Sequence, residues 1–307
     1  MQFQQTLKRP ITCQGIGIHS GRPVQVVAKP APANSGIVFV RTDLPGTPVI
    51  PARSSRVVDS SLATRLGSEQ ASIATVEHLL AALAGLQIDN ARLEVSGPEV
   101  PILDGSAAFF VRLLRQAGSK VLRWPRPFFL LQRPLAVVEG DKYIRVEPAA
   151  VAKLTYTIDF PHPSIGRQTL SVVPQVKTFC REIAPARTFG FLHEVERLQA
   201  NGLALGGSLE NAVVLDATGV LNPEGLRFPD EFVRHKILDL MGDLALLGWP
   251  LVGHIQVYKG SHALHQKFMQ TLLQQQDAWR LWIPETQPTW RPILPLPQPV
   301  RLRTALA

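Results

Sequence analysis

The sequence, 307 residues long, predicts an α+β protein built from two similar two-layer α/β sandwich domains. Three observations carry this. Strand-like runs come before helical blocks instead of alternating with them, which gives segregated layers and not a doubly wound sheet. Two segments repeat one order of elements: helix, short strand, loop, helix. A proline-interrupted stretch, WPRPFFLLQRP at Trp124–Pro134, separates them.

The elements follow in order. Runs of β-formers place strands at Gln25–Ala28 and Ile37–Arg41. A helix is expected over Thr75–Ala84, with Thr75 as its N-cap, Glu77 in its first turn and Gly85 as its stop. Strand Ala91–Val95, a loop and helix Ser106–Ala117 complete the first copy. Beyond the joint, Ala136–Glu139, Tyr143–Glu147 and Leu154–Ile158 read as strands. The second copy is helix Asp230–Leu247 stopped at Gly248, strand Val252–Tyr258, a loop, and helix Ala263–Gln274. The chain thus divides into domains at 1–124 and 125–281, followed by a Pro-rich tail, 282–307, that is expected to be extended.

Composition narrows the function. Hydrophobic residues at 45% and charged residues at 18% exclude a disordered chain. The formal charge of +8 calls for an acidic partner: a nucleic acid, an anionic membrane or a phosphorylated small molecule. No run of five or more Lys/Arg occurs, which argues against a nucleic-acid-binding arm. Cys13 and Cys180 form no CxxC pair, so a Cys-rich zinc site and a disulfide framework are both excluded, and a reducing compartment is expected. The N-terminal segment has no apolar core of a signal peptide, and no apolar run approaches the ~18 residues of a membrane span. The expectation is a cytoplasmic monomer without stable membrane insertion.

The chemistry concentrates in DEFVRHKILDLMGDLALL, where His235, Asp239 and Asp243 follow at i, i+4 and i+8 with Lys236 beside them. Successive members lie about 40° apart around a helix, so a His and an Asp can hold one metal ion. Alone, the stripe is also what a solvated helix face looks like; Phe232 and Leu246 on the same stripe favour a cleft floor. A second piece is Glu77-His78 in TVEHLLAALAG. It is not HExxH, and alone it reads equally as a capped helix start. Joined to the first piece it offers a ligand and a general base for metal-assisted hydrolysis. Two His and an Asp with one open position suit catalytic zinc, with iron(II) as the competing metal. His262, in the loop Lys259-Gly260-Ser261-His262, is either a general acid or a solvated turn residue, while His265 is expected on the following helix and not at the metal. Thr188, in ARTFG, can stabilise an oxyanion.

These residues resemble a known family. The motifs GIGIHSG (Gly15–Gly21), TVEHLLAALAGLQIDN (Thr75–Asn90), PILDGSAAFFV (Pro101–Val111), ARTFGF (Ala186–Phe191), LGGSLENAVV (Leu205–Val214), LRFPDEFVRHKILDLMGDLALLG (Leu226–Gly248) and GSHALH (Gly260–His265) stand in the order found in the UDP-3-O-acyl-N-acetylglucosamine deacetylases, the zinc amidases of lipid A biosynthesis. The likeness runs from about Gln5 to Leu273. It implies His78, His235 and Asp239 as zinc ligands, Glu77 as general base, and His262 as general acid or electrostatic partner. It also implies Asp243 as the carboxylate behind His262, and Thr188 for the oxyanion. Lys236, Phe189, Phe160, Lys142 and Lys259 become substrate contacts. Leu192, Val195, Leu198, Leu203 and Ala204 become candidates for an apolar acyl passage in an insert of the second domain.

The implied reaction is hydrolysis of the N-acetyl group of an acylated UDP-sugar, in a site between the two domains. The substrate's pyrophosphate fits the positive charge. A zinc amidase acting on another N-acyl sugar nucleotide, a non-catalytic binding homologue and a nucleic-acid binder are the competing readings. The sequence departs from the family at Ala63, where relatives often carry Cys, at the order Gly260-Ser261, and in the Pro-rich tail.

Overall fold

A computed structural model describes residues 2–283. Of the tail 282–307, all but Trp282 and Ile283 lies outside the described residues.

The first half forms a five-stranded sheet from β1 (Ile11–Ile16), β2 (Pro23–Pro30), β3 (Ile37–Arg41), β4 (Val49–Pro51) and β5 (Ala91–Val95) in the order β1-β2-β5-β3-β4. Its pairs are antiparallel except β3 with β5. That parallel pair needs a crossover, and α1 (Glu77–Gly85) supplies it. Helix α2 (Ala108–Ala117) follows β5 and buries Phe110, Val111 and Leu114 on one face.

The second half repeats this arrangement. Strands β6 (Leu135–Glu139), β7 (Lys142–Glu147), β8 (Lys153–Phe160), β9 (Gly166–Val172) and β12 (His254–Tyr258) stand in the order β6-β7-β12-β8-β9. Again the sole parallel pair in the sheet joins the third strand to the fifth. Its crossover contains α4 (Glu231–Leu244), and α5 (His262–Gln274) follows β12. Equal strand order, equal strand directions and equivalent helices make the duplicated topology explicit. Between β9 and α4 lies an insert: β10 (Phe189–Phe191), α3 (Leu192–Ala200) and β11 (Val213–Leu215), with β10 and β11 paired in parallel.

The helices hold the halves together. Leu79, Leu80, Ala81, Ala82 and Leu83 are all buried in α1, and apolar burial around its whole circumference marks an interior helix. It packs against both α2 and α4. Gly242 of α4 meets the backbone of Glu77, and a Cβ there would strike the Glu77 carbonyl. The two helices therefore approach more closely than side chains would allow.

Several expected boundaries shift. The helix expected from Thr75 starts at Glu77 with Val76 as N-cap; Thr75 sits at φ 57° and donates its hydroxyl to Glu99 Oε1 at 2.9 Å, so it does not cap the helix. The helix expected to reach Leu247 ends at Leu244 and tightens into a 3-10 turn, Ala245–Leu247, closed by Gly248 at φ 89°. Strand Val252–Tyr258 is broken at Gly253. In the joint, Phe128–Leu131 is itself a strand, lying between Leu251–Val252 and Trp279–Trp282. Among the described residues no helix is long and apolar enough to cross a membrane.

Candidate active site

A cleft of about 480 Å³ opens between the halves, lined by Leu62, Ala63, Glu77 and His78 from the first and by Thr188, Lys236, Asp239 and His262 from the second, among others. Helix α1 presents Glu77 and His78 from its first turn, and α4 presents His235, Asp239 and Asp243 from successive turns. The close approach at Gly242 brings the two sets within reach. All five side chains are buried.

His78, His235 and Asp239 offer ligand atoms that all lie within 4.8 Å of one another. Asp239 Oδ1 is 3.3 Å from His235 Nε2 and 3.6 Å from His78 Nε2. The His235 Nδ1 is 3.1 Å from the Ala186 carbonyl, to which it donates, leaving Nε2 free as a ligand. Burial pushes the His235 pKa down to about 3, so the imidazole is neutral, as a metal ligand must be. Burial opposes the charge on Asp239, yet the cationic surroundings, with the Lys236 ammonium 2.8 Å away, hold its carboxyl well below the usual range. His78 Nδ1 is buried without a hydrogen-bond partner. Two imidazoles and one carboxylate with converging ligand atoms fit a divalent cation with a position left open.

Beside this triad lie the groups for proton transfer. Burial raises the Glu77 carboxyl above its ordinary pKa, opposed by the charge of His262. Its Oε1 is 3.9 Å from His262 Nε2. His262 opens α5, behind the N-cap Ser261, whose Oγ accepts from Leu264 N at 3.3 Å. Gly260 is packed so closely on Tyr156 and Val257 that a side chain would collide, which accounts for the order Gly260-Ser261. Burial disfavours the imidazolium of His262, but Asp243, Glu77 and Asp239 overcome it and push the pKa up to about 10. His262 Nδ1 meets Asp243 Oδ2 at 2.6 Å.

Thr188 is fixed through its backbone, its N–H donating to Gly105 O and its carbonyl accepting from Val213 N, both at 2.8 Å, with its side chain on the cleft wall. Phe189, Leu192, Val195, Leu198 and Ala204 line the same cleft, as does Lys236, whose Nζ pairs with Asp239 Oδ2 at 2.8 Å. Phe160 stands edge-on to Phe189, with ring centroids 5.8 Å apart. The remaining residues are not brought to the cleft wall. Lys142 is exposed at the start of β7, Lys259 pairs with Asp141 at 2.8 Å, and Leu203 lies behind Ala204 in sequence without lining the cavity.

Sequence reasoning missed two members of the network. Thr64 donates its hydroxyl to Asp243 Oδ1 at 2.6 Å, a contact across 179 residues with no local signal. His265, on α5 as expected, places Nδ1 2.7 Å from the same Asp243 Oδ2 that His262 approaches. Its i+3 spacing from His262 was the available signal. Asp243, His262 and His265 are also close enough to hold an ion. Both imidazoles aim Nδ1 at one carboxylate oxygen at hydrogen-bond distance, so a proton-bearing network accounts for the cluster.

Known proteins resemble the chain over nearly its whole length. The family model described as LpxC, UDP-3-O-acyl N-acetylglycosamine deacetylase, matches residues 4–274. A UDP-3-O-acyl-N-acetylglucosamine deacetylase of Syntrophotalea carbinolica is 48% identical over 281 residues, 92% of this chain and 91% of its own. Proteins of the same name are 49% identical in Myxococcus xanthus, over 91% of this chain and 88% of theirs, and in Geotalea uraniireducens, over 92% of each.

Proposed function

The chain belongs to the UDP-3-O-acyl N-acetylglycosamine deacetylase family, and from that membership we infer that it hydrolyses the N-acetyl group of UDP-3-O-acyl-N-acetylglucosamine in lipid A biosynthesis. Water adds to the amide carbonyl, the C–N bond breaks, and acetate and the free amine of the UDP-3-O-acyl-glucosamine leave. The observation that carries the residue-level reading is the convergence of His78, His235 and Asp239, with Glu77 and His262 alongside.

We propose that His78, His235 and Asp239 hold one zinc ion, iron(II) being the alternative metal. When bound, the metal supplies a Lewis acid that polarises the amide carbonyl and makes water acidic enough to be deprotonated near neutral pH. Glu77 takes the proton of the attacking water; its buried carboxylate is a stronger base than one in solvent. Thr188 stabilises the oxyanion with its hydroxyl. His262, held as a cation by Asp243, gives a proton to the departing amine at Nε2. Lys236 contacts substrate from α4, with Phe189 beside it and Phe160 packed behind Phe189, while Lys142 and Lys259, off the cleft wall, meet the part of the substrate that extends beyond it. Leu192, Val195 and Leu198 of α3, with Ala204, form the wall along which the acyl chain runs, and Leu203 stands next to it outside the lining.

In this scheme residues 1–124 form a domain that supplies Glu77 and His78. Residues 125–281 form a second domain that carries the passage insert and supplies His235, Asp239 and His262. Residues 282–307 are a separate tail. We place the protein in the cytoplasm as a monomer. The decisive experiment incubates the purified protein with UDP-3-O-acyl-N-acetylglucosamines of several chain lengths and follows acetate. Release should stop on chelation and return with zinc. Release indifferent to a divalent ion would rule out the metal assignment.

A further inference from the structure

We propose that Thr64 is a positioning residue that locks the two proton-handling carboxylates of the site in register across the cleft; this rests on the assignment of Glu77 as base and of Asp243 as the partner of His262. Thr64 is buried behind Leu62 and Ala63, which line the cleft while Thr64 does not. It bonds to both carboxylates at once. Its backbone N–H donates to Glu77 Oε2 at 3.2 Å, and its hydroxyl donates to Asp243 Oδ1 at 2.6 Å. Glu77 comes from α1 and Asp243 from α4, so one residue ties together groups delivered by different halves of the fold.

The consequence lies in how Asp243 is satisfied. A carboxylate can turn about its Cβ–Cγ bond, tilting its plane and its oxygens away from His262. Here Oδ1 is taken by Thr64, and Oδ2 receives Nδ1 of both His262 and His265 at 2.6 and 2.7 Å. Three donors on two oxygens leave one orientation. That orientation fixes the His262 ring, so that its other nitrogen, Nε2, faces Glu77 Oε1 at 3.9 Å across the reacting centre. Without the hydroxyl, Oδ1 loses a charge-assisted bond in a buried site, and the carboxylate regains its rotation.

Kinetics of Thr64→Val, Thr64→Ser, Asp243→Asn and the Thr64→Val/Asp243→Asn double variant test this. Valine keeps the shape and the backbone N–H and removes the hydroxyl. Thr64→Val should lower kcat roughly 10- to 100-fold, the loss of one hydrogen bond to a charged group, with KM within about 3-fold and bound metal per chain unchanged. Thr64→Ser should return to within about 3-fold of the parent, since the hydroxyl is restored. Added to Asp243→Asn, Thr64→Val should cost less than about 2-fold more, because its effect passes through Asp243. A parental kcat in Thr64→Val, a serine no better than valine, loss of metal, or multiplicative effects in the double variant would each overturn the assignment. Glu77→Gln is measured in parallel. Full activity there would remove Glu77 as base, whereas the Thr64–Asp243 coupling is read from its own cycle.

Discussion

The backbone of Gly242 lies directly against that of Glu77, so the general-base candidate stands where two interior helices come closest. Gly242 is in the same helix as His235, Asp239 and Asp243, and Glu77 precedes His78. Any widening of this contact separates His78 from Asp239. Gly242→Ala would place a methyl group against the Glu77 carbonyl, where only backbone can give way. The expected cost is about 1–3 kcal/mol of stability, typical of overpacking, together with weaker metal retention. Denaturant midpoints and metal content check both. A variant as stable as the parent, with full metal, would show that the helices can part without consequence.

A second prediction concerns what holds Thr188 to α4. Glu231 is fully buried at the start of that helix. It accepts from Arg187 N and Nε at 2.9 Å and from Arg227 N at 2.6 Å. The Arg187 guanidinium also reaches Glu224, near the exposed edge. Glu231→Ala leaves the Arg187 cation largely buried without its main counter-ion. That should cost about 3–5 kcal/mol, the range for breaking a buried pair from one side. Glu231→Gln keeps the shape and part of the bonding and should cost less. Equilibrium unfolding with an unchanged m-value is the measurement. A loss below about 1 kcal/mol in the alanine variant would mean that Arg187 finds water or Glu224 instead.

The legibility of this protein follows the range of the interactions. Helix α4 was readable with its chemistry because His235, Asp239 and Asp243 obey a four-residue spacing that the helix itself enforces. Strand Ile37–Arg41 was found at its observed bounds, since it is a buried run of β-formers. Strands Ile11–Ile16 and Gly166–Val172 were not, because as sheet-edge strands they bury little and carry Gln, Thr, Ser and Gly. Thr75 looked like a helix cap, but Glu99 competes for its hydroxyl from the next segment. Thr64 was invisible for the same reason: its partners are set by how α1 meets α4, and no local pattern encodes that meeting.

A third prediction concerns stability with and without metal. His78, His235 and Asp239 are buried polar groups whose ligand atoms converge, and His78 Nδ1 has no hydrogen-bond partner. A cation that binds only the folded chain stabilises it by mass action, by about 2.7 kcal/mol at a free concentration of 100 times Kd. Chelation should therefore lower Tm as well as stop turnover. Restoring zinc should recover both, and in His78→Ala the metal-dependent part of Tm should disappear. A Tm equal with and without chelator would place the ion, if any, outside this cluster.

The last prediction separates the base from the metal site. Glu77 is adjacent to His78 yet is not assigned as a ligand, so removing its charge should impair chemistry and spare binding. Glutamine is the informative replacement. It retains an oxygen to accept from Thr64 N and nearly the same volume in a buried site, where alanine would leave a void. Glu77→Gln should lower kcat by about 10²- to 10⁴-fold, the usual contribution of a general base. KM and bound metal should stay near the parental values, because substrate and ion are held by other groups. Loss of metal together with activity would make Glu77 part of the ligand set. Undiminished turnover would move the base to another group in the cleft, with His262, whose Nε2 is 3.9 Å from Glu77 Oε1, as the first to examine.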